Sequence, residues 1–73
     1  MKQDEPFRIK AYGKSELAML YFPESTKEAA LKRLNFWLKI NPRLRHLLDP
    51  KIKNFTPRQV RDIVDEVGEP FET

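Results

Sequence analysis

Cysteine is absent from this 73-residue chain, and histidine occurs once, at His46. Disulfide staples are therefore excluded. So are zinc sites built on cysteine or on a histidine cluster. The absence of cysteine also fits a reducing compartment. Glycine occurs only at Gly13 and Gly68, so no glycine-rich phosphate loop can form. No apolar run approaches the ~18 residues of a membrane span, and the Met1–Glu5 start lacks the apolar stretch of a secretory signal. The expectation is a cytoplasmic protein with no membrane association, no metal and no cofactor. A chain this short has room for one core, and it buries only about 60% of the surface that its unfolded form exposes.

Charge is plentiful but uneven. The net charge is +3, with 34% of residues charged. Residues 1–26 balance. Residues 27–61 hold ten basic side chains against Glu28 and Asp49, a local charge of +8. Residues 62–73 hold five acidic side chains and no basic one, a local charge of −5. A basic middle is the footprint of an anion binder, nucleic acid above all. It is equally the footprint of a solvated surface.

The order of elements follows from local signals. Phe7–Ala11 alternates apolar and polar residues, the period of a half-buried strand that Tyr12-Gly13 ends. Its partner is expected at Lys51–Phe55, giving a two-stranded ribbon. A first helix is expected over Lys14–Phe22, started by Gly13 or Ser15 and stopped by Pro23. Ser25-Thr26-Lys27-Glu28 reads as a capping box for a second helix that runs to Ile40. Ala30, Leu31, Leu34, Trp37 and Leu38 form one stripe on it, and Ala29, Phe36 and Ile40 form another apolar patch. That helix is thus expected to be buried around most of its circumference. Asn41 and Pro42 start a third, shorter helix that ends at Leu48. The last helix carries the fullest signature. Thr56 is its cap, Pro57 its first residue and Gln59 the capping-box partner, while Phe55 and Val60 make a hydrophobic staple. Gly68 terminates it.

The expected fold is mainly α. It is a small single domain of three to four helices with a short two-stranded β element, of helix-turn-helix or winged-helix character. It spans residues 7–70 between a frayed lead, 1–6, and a tail, 71–73. The core should contain Leu17, Leu20, Ala30, Leu34, Trp37, Leu38, Leu47, Val60, Ile63 and Val64. Ala18 suits the small position of a helix-turn-helix, although the turn holds no glycine and is long.

Catalytic signals are lacking. Asp49 can orient His46 only if the third helix continues that far, and Ser15 and Ser25 are explained as helix starts. The chain is therefore read as no enzyme. The candidate nucleic-acid contacts are Lys32, Arg33, Lys39, Arg43 and Arg45 on the second and third helices, with Arg58 and Arg61 on the last. Arg58 and Arg61 sit at the start of their helix, where the dipole disfavours positive charge. Either they pair with Asp62 and Asp65 four residues on, or they help bind a phosphate. Lys51 and Lys53 fit a charged wing or a blunted sheet edge. The alternative is a protein-interaction module or homodimer, with no nucleic-acid role. It would use the spare apolar residues Phe36, Ile40 and Phe71 beside charge blocks of opposite sign.

Tyr12-Gly13-Lys14-Ser15-Glu16-Leu17-Ala18, Tyr21, Pro23, Leu34, Trp37, the Phe55–Val60 block, Ile63-Val64 and Gly68-Glu69-Pro70 together carry a resemblance. They resemble a family of short uncharacterised bacterial proteins, common in gut Bacteroidetes, known only as a domain of unknown function. The resemblance covers about residues 7–70. It implies a bacterial cytoplasmic protein of one domain, and it carries over no site residues.

Overall fold

A computed structural model describes residues 7–70. Its order is β1 (Tyr12–Gly13), α1 (Lys14–Tyr21), α2 (Lys27–Ile40), a 3₁₀ helix (Arg45–Leu48), β2 (Asn54–Phe55) and α3 (Pro57–Val67). The fold is mainly helical, with one two-stranded antiparallel sheet, as the sequence pattern implies. The lead 1–6 and the tail 71–73, Phe71 included, lie outside the described residues.

The sheet is displaced from its expected position. Tyr12 pairs with Phe55 and Gly13 with Asn54, so the residues expected to end the strand are the strand. Residues 7–11 join no ladder. Instead the Tyr12 hydroxyl donates to the Arg8 carbonyl at 2.9 Å, and the Phe7 ring stacks on Tyr12 with centroids 5.5 Å apart. The alternation of Phe7–Ala11 has no covering surface, and Ile9 and Ala11 are exposed. On the partner side only the last two residues of the expected Lys51–Phe55 strand pair. Asp49 Oδ1 accepts from the Lys51 amide at 2.9 Å, and the Asp49 carbonyl accepts from Ile52. That turn occupies the backbone that a longer strand would need.

Helix α1 starts directly from the sheet. The Lys14 amide donates to the Lys53 carbonyl at 3.2 Å, and the Gly13 amide donates to Glu16 Oε1 at 3.1 Å. A Cβ on Gly13 would approach Asn54 Oδ1 to 3.2 Å, which suits glycine there. Helix α2 is capped by Thr26, whose Oγ1 accepts from the Ala29 amide. Ser25 was the expected cap, but its amide is spent on the Phe22 carbonyl in the turn.

The third helix shrinks to a single 3₁₀ element. Asn41 Oδ1 accepts from the Arg43 amide at 3.0 Å, an Asx turn that occupies Pro42–Leu44. Leu44 and Leu47, three apart, are both fully buried, and 3₁₀ geometry aligns that spacing. Helix α3 matches expectation at each end. Thr56 and Gln59 form the capping box, Pro57 is at N1, and Gly68 sits at φ 90°.

One core joins all elements. Leu17, Ala30, Leu34, Leu38, Leu47, Val60 and Ile63 are buried as expected, whereas Leu20, Trp37 and Val64 are only half-buried against it. Phe55, Leu44, Ala18 and Tyr12 complete it, and Phe55 is its largest fully buried side chain. Helix α2 departs most from expectation. Ala30, Leu34 and Leu38 bury one stripe, but Phe36 and Ile40 are 58% and 56% exposed. The small chain supplies cover for one side of α2, so its far side meets solvent.

Candidate nucleic-acid interface

Helices α1 and α2 pack together across the five-residue link 22–26, one residue or more longer than the usual helix-turn-helix connection. No wing hairpin follows. The two strands come from opposite ends of the α1–α2 pair, and Lys51 and Lys53 lie exposed just before β2.

The seven candidate cations are all exposed, yet they differ in their surroundings. Arg43 lies 3.9 Å from Glu66, the one ion pair among the described residues. Asn41 Nδ2 holds the same carboxylate at 3.0 Å. Arg45 is turned back, donating from Nε to the Lys39 carbonyl at the end of α2. There it satisfies a free helix carbonyl and sits well against the dipole. These two are the least available of the set. Lys32 and Lys39 make no ion pair with a described residue. Arg33 lies over the Phe22 ring, its guanidinium carbon 5.5 Å from the centroid.

On α3 the expected pairs Arg58–Asp62 and Arg61–Asp65 do not form, since neither comes within 4.0 Å. Both orders place the base before the acid, the less favourable orientation on a helix. Arg58 and Arg61 instead border a shallow depression with Ile9, Pro57 and Asp62. That depression is bordered by none of the cations of α2. The structure therefore holds two separate basic places.

Beside the cations of α2 lies an aromatic cluster, whose residues the sequence offers as core or, less favoured, as a stacking platform. Tyr21, Phe22 and Trp37 meet edge to face or tilted, with Trp37 5.3 Å from Tyr21 and 4.8 Å from Phe22. The Tyr21 hydroxyl donates to the Gly68 carbonyl at 2.6 Å, tying α1 to the end of α3. Burial first, and Glu69 second, push the Tyr21 phenol well above its ordinary value. Tyr12 is raised too, chiefly by burial. In the sequence, the place of Trp37 on the apolar stripe of α2 favours core packing over such a platform.

Catalytic geometry is not assembled around His46. It is exposed, and Asp49 serves the Lys51 amide rather than the imidazole. Among the described residues no three of His, Asp and Glu gather at metal-binding distance, and no helix is long and apolar enough to cross a membrane.

No curated protein and no solved structure matches the chain. A family does match, over residues 8–70, and nearly every residue discussed above falls within that span. The chain thus belongs to the family described as a domain of unknown function, DUF4248.

Proposed function

We propose that this domain binds nucleic acid through its basic middle segment, as a small regulatory protein of helix-turn-helix type rather than an enzyme. The observation that carries the reading is the state of the charges. Of the ten basic side chains in residues 27–61, only Arg43 is ion-paired with a described residue. The remainder are exposed and, apart from Arg45 on the Lys39 carbonyl and Arg33 over Phe22, offer charge that a polyanion can neutralise with release of counterions. Arg58 and Arg61 support the reading further, because they lack the local partners that would make them merely structural. Lys32 and Arg33 supply a second point of contact with a phosphate backbone, with Lys39 about two turns further along. Arg43 and Arg45 contribute less, being engaged by Glu66 and the Lys39 carbonyl. The resemblance noted above suggests a bacterial cytoplasmic setting.

The test is anisotropy of a labelled random duplex, titrated at about 50 mM and about 200 mM salt. For about four phosphate contacts the affinity should fall on the order of 100-fold between the two. Neutralising Arg58 and Arg61 together should reduce the salt slope by about two. Absence of binding at the lower salt would remove the proposal. A protein-interaction reading is favoured by a different observation, the exposure of Phe36 and Ile40. It predicts a sedimenting dimer or a defined complex, and a strict monomer with no partner would count against it. Phe71, the third residue of that reading, lies outside the described residues.

A further inference from the structure

The outer side of α2 presents a pattern that bulk charge does not explain. Phe22, Phe36 and Trp37, with Lys32 and Arg33, line a cleft of about 370 Å³. Three of the five lining residues are aromatic, two are cationic and none is acidic. The Phe36 ring is more than half exposed, and among the described residues only Ile40 is a comparably open large apolar side chain. Phe22 and Trp37 are half-buried and packed on each other at 52°, so they form a fixed wall. Arg33 already lies over the Phe22 ring, which holds its guanidinium at the rim.

We propose that this cleft is a stacking site for an unpaired nucleobase, so that the domain takes single-stranded nucleic acid on the outer face of α2. This rests on the nucleic-acid reading above and narrows its substrate. The aromatic rings offer faces and edges to a base. Lys32 and Arg33 sit where the flanking phosphates would lie. Such a combination of rings and cations is what sequence-tolerant single-strand binding requires. In a duplex both faces of each base are already stacked, so only an unpaired base can enter. The charges argue against a second copy of the chain as the occupant. A two-fold contact through this face would bring Lys32 and Arg33 of one copy toward the same residues of the other. The apolar patch is also narrow beside the ~1,000 Å² that a stable protein interface buries.

Trp37 is the only tryptophan, so the site carries its own reporter. The experiment titrates the full chain with an unlabelled oligo(dT) strand of about ten nucleotides at low salt, reading tryptophan emission. A labelled copy of the strand and a duplex of equal length are followed by anisotropy. The expected result is quenching by the single strand, little quenching by the duplex, and tighter binding of the strand. Phe36→Ala should weaken strand binding about fivefold or more, and Phe36→Trp should restore it. Ile40→Ala removes a comparably exposed apolar side chain outside the cleft and should bind as the parent does. No strand binding at low salt would overturn the proposal. So would strand binding that leaves Trp37 emission unchanged and is indifferent to Phe36→Ala. Duplex binding beside a single strand that binds no tighter and leaves Trp37 emission unchanged would sink this inference and leave the broader reading standing. Strand binding with quenching but no duplex binding would leave this inference and remove the helix-turn-helix duplex reading. If neither is bound, both fall.

Discussion

Replacing Phe55 with alanine should come close to unfolding this protein. Phe55 has no exposed surface and is the largest side chain so buried. It also holds three elements at once. It pairs with Tyr12 in the ladder, it precedes the Thr56 cap, and it shares the buried cluster with Val60 of α3, while Lys14 lies 6.0 Å above its ring. Aromatic side chains bury about 150–250 Å². Losing most of that at about 25 cal/mol per Å² costs about 3 kcal/mol in transfer alone. The cavity left behind raises the total to about 4 kcal/mol. A domain of this length has only about 4–11 kcal/mol of stability. The melting temperature should therefore fall by roughly 15–30 °C. Urea unfolding followed by helical circular dichroism measures the change directly, with Phe55→Leu retaining more than half of the lost stability. A loss below about 1.5 kcal/mol with an unchanged m-value would refute the assignment of Phe55 as the joint between sheet and helix.

Other perturbations probe separate contacts. Trp37→Ala should cost less than Phe55→Ala, about 1–3 kcal/mol, because Trp37 is half-buried; an equal or larger loss in the same urea assay would show it to be a full core residue. Thr56→Ala removes the oxygen that accepts from the Gln59 amide and should cost about 1 kcal/mol, whereas Thr56→Ser should restore nearly all of it. The pH dependence has a definite sign. The Tyr21 phenol is raised in the folded state above the ordinary value of 10.0, so its contribution is complete below pH 10 and is lost as pH rises beyond that. Melting temperatures should fall between pH 9 and 11.5, and more steeply in the parent than in Tyr21→Phe; parallel curves would exclude Tyr21 as the cause.

Helix α3 was legible because its determinants are local. A cap, a proline, a capping-box glutamine and a staple lie within six residues, and each acts on its immediate neighbours. The sheet was misplaced because its register depends on a partner far along the chain, and Phe7–Ala11 alternates without one. Phe36 and Ile40 were legible as spare apolar residues, but the burial expected around most of α2 failed for a similar reason. Periodicity tells which residues share a face, but not how many elements exist to cover it. At the candidate site the residue types were legible and their grouping was not. Arg58 and Arg61 were matched to acids one turn away and stand apart from them. Arg43, in the turn after α2, found Glu66 of α3. Local spacing proposes pairings, and the packing of separate helices decides among them.

Two contacts far apart in sequence hold α3 at both of its ends. The Tyr12–Phe55 pairing grips its entry, and the Tyr21 hydroxyl reaches 47 residues along the chain to grip the carbonyl just past its exit. Both partners flank α1. Neither α3 nor the α1–α2 pair can open without breaking contacts that the other needs. The domain should thus behave as a single cooperative unit, with the central amides of all three helices exchanging hydrogen only through global opening and at one common free energy. Its two basic places, although separate on the surface, are then mounted on one rigid body, and any ligand that touches both meets them at a fixed spacing.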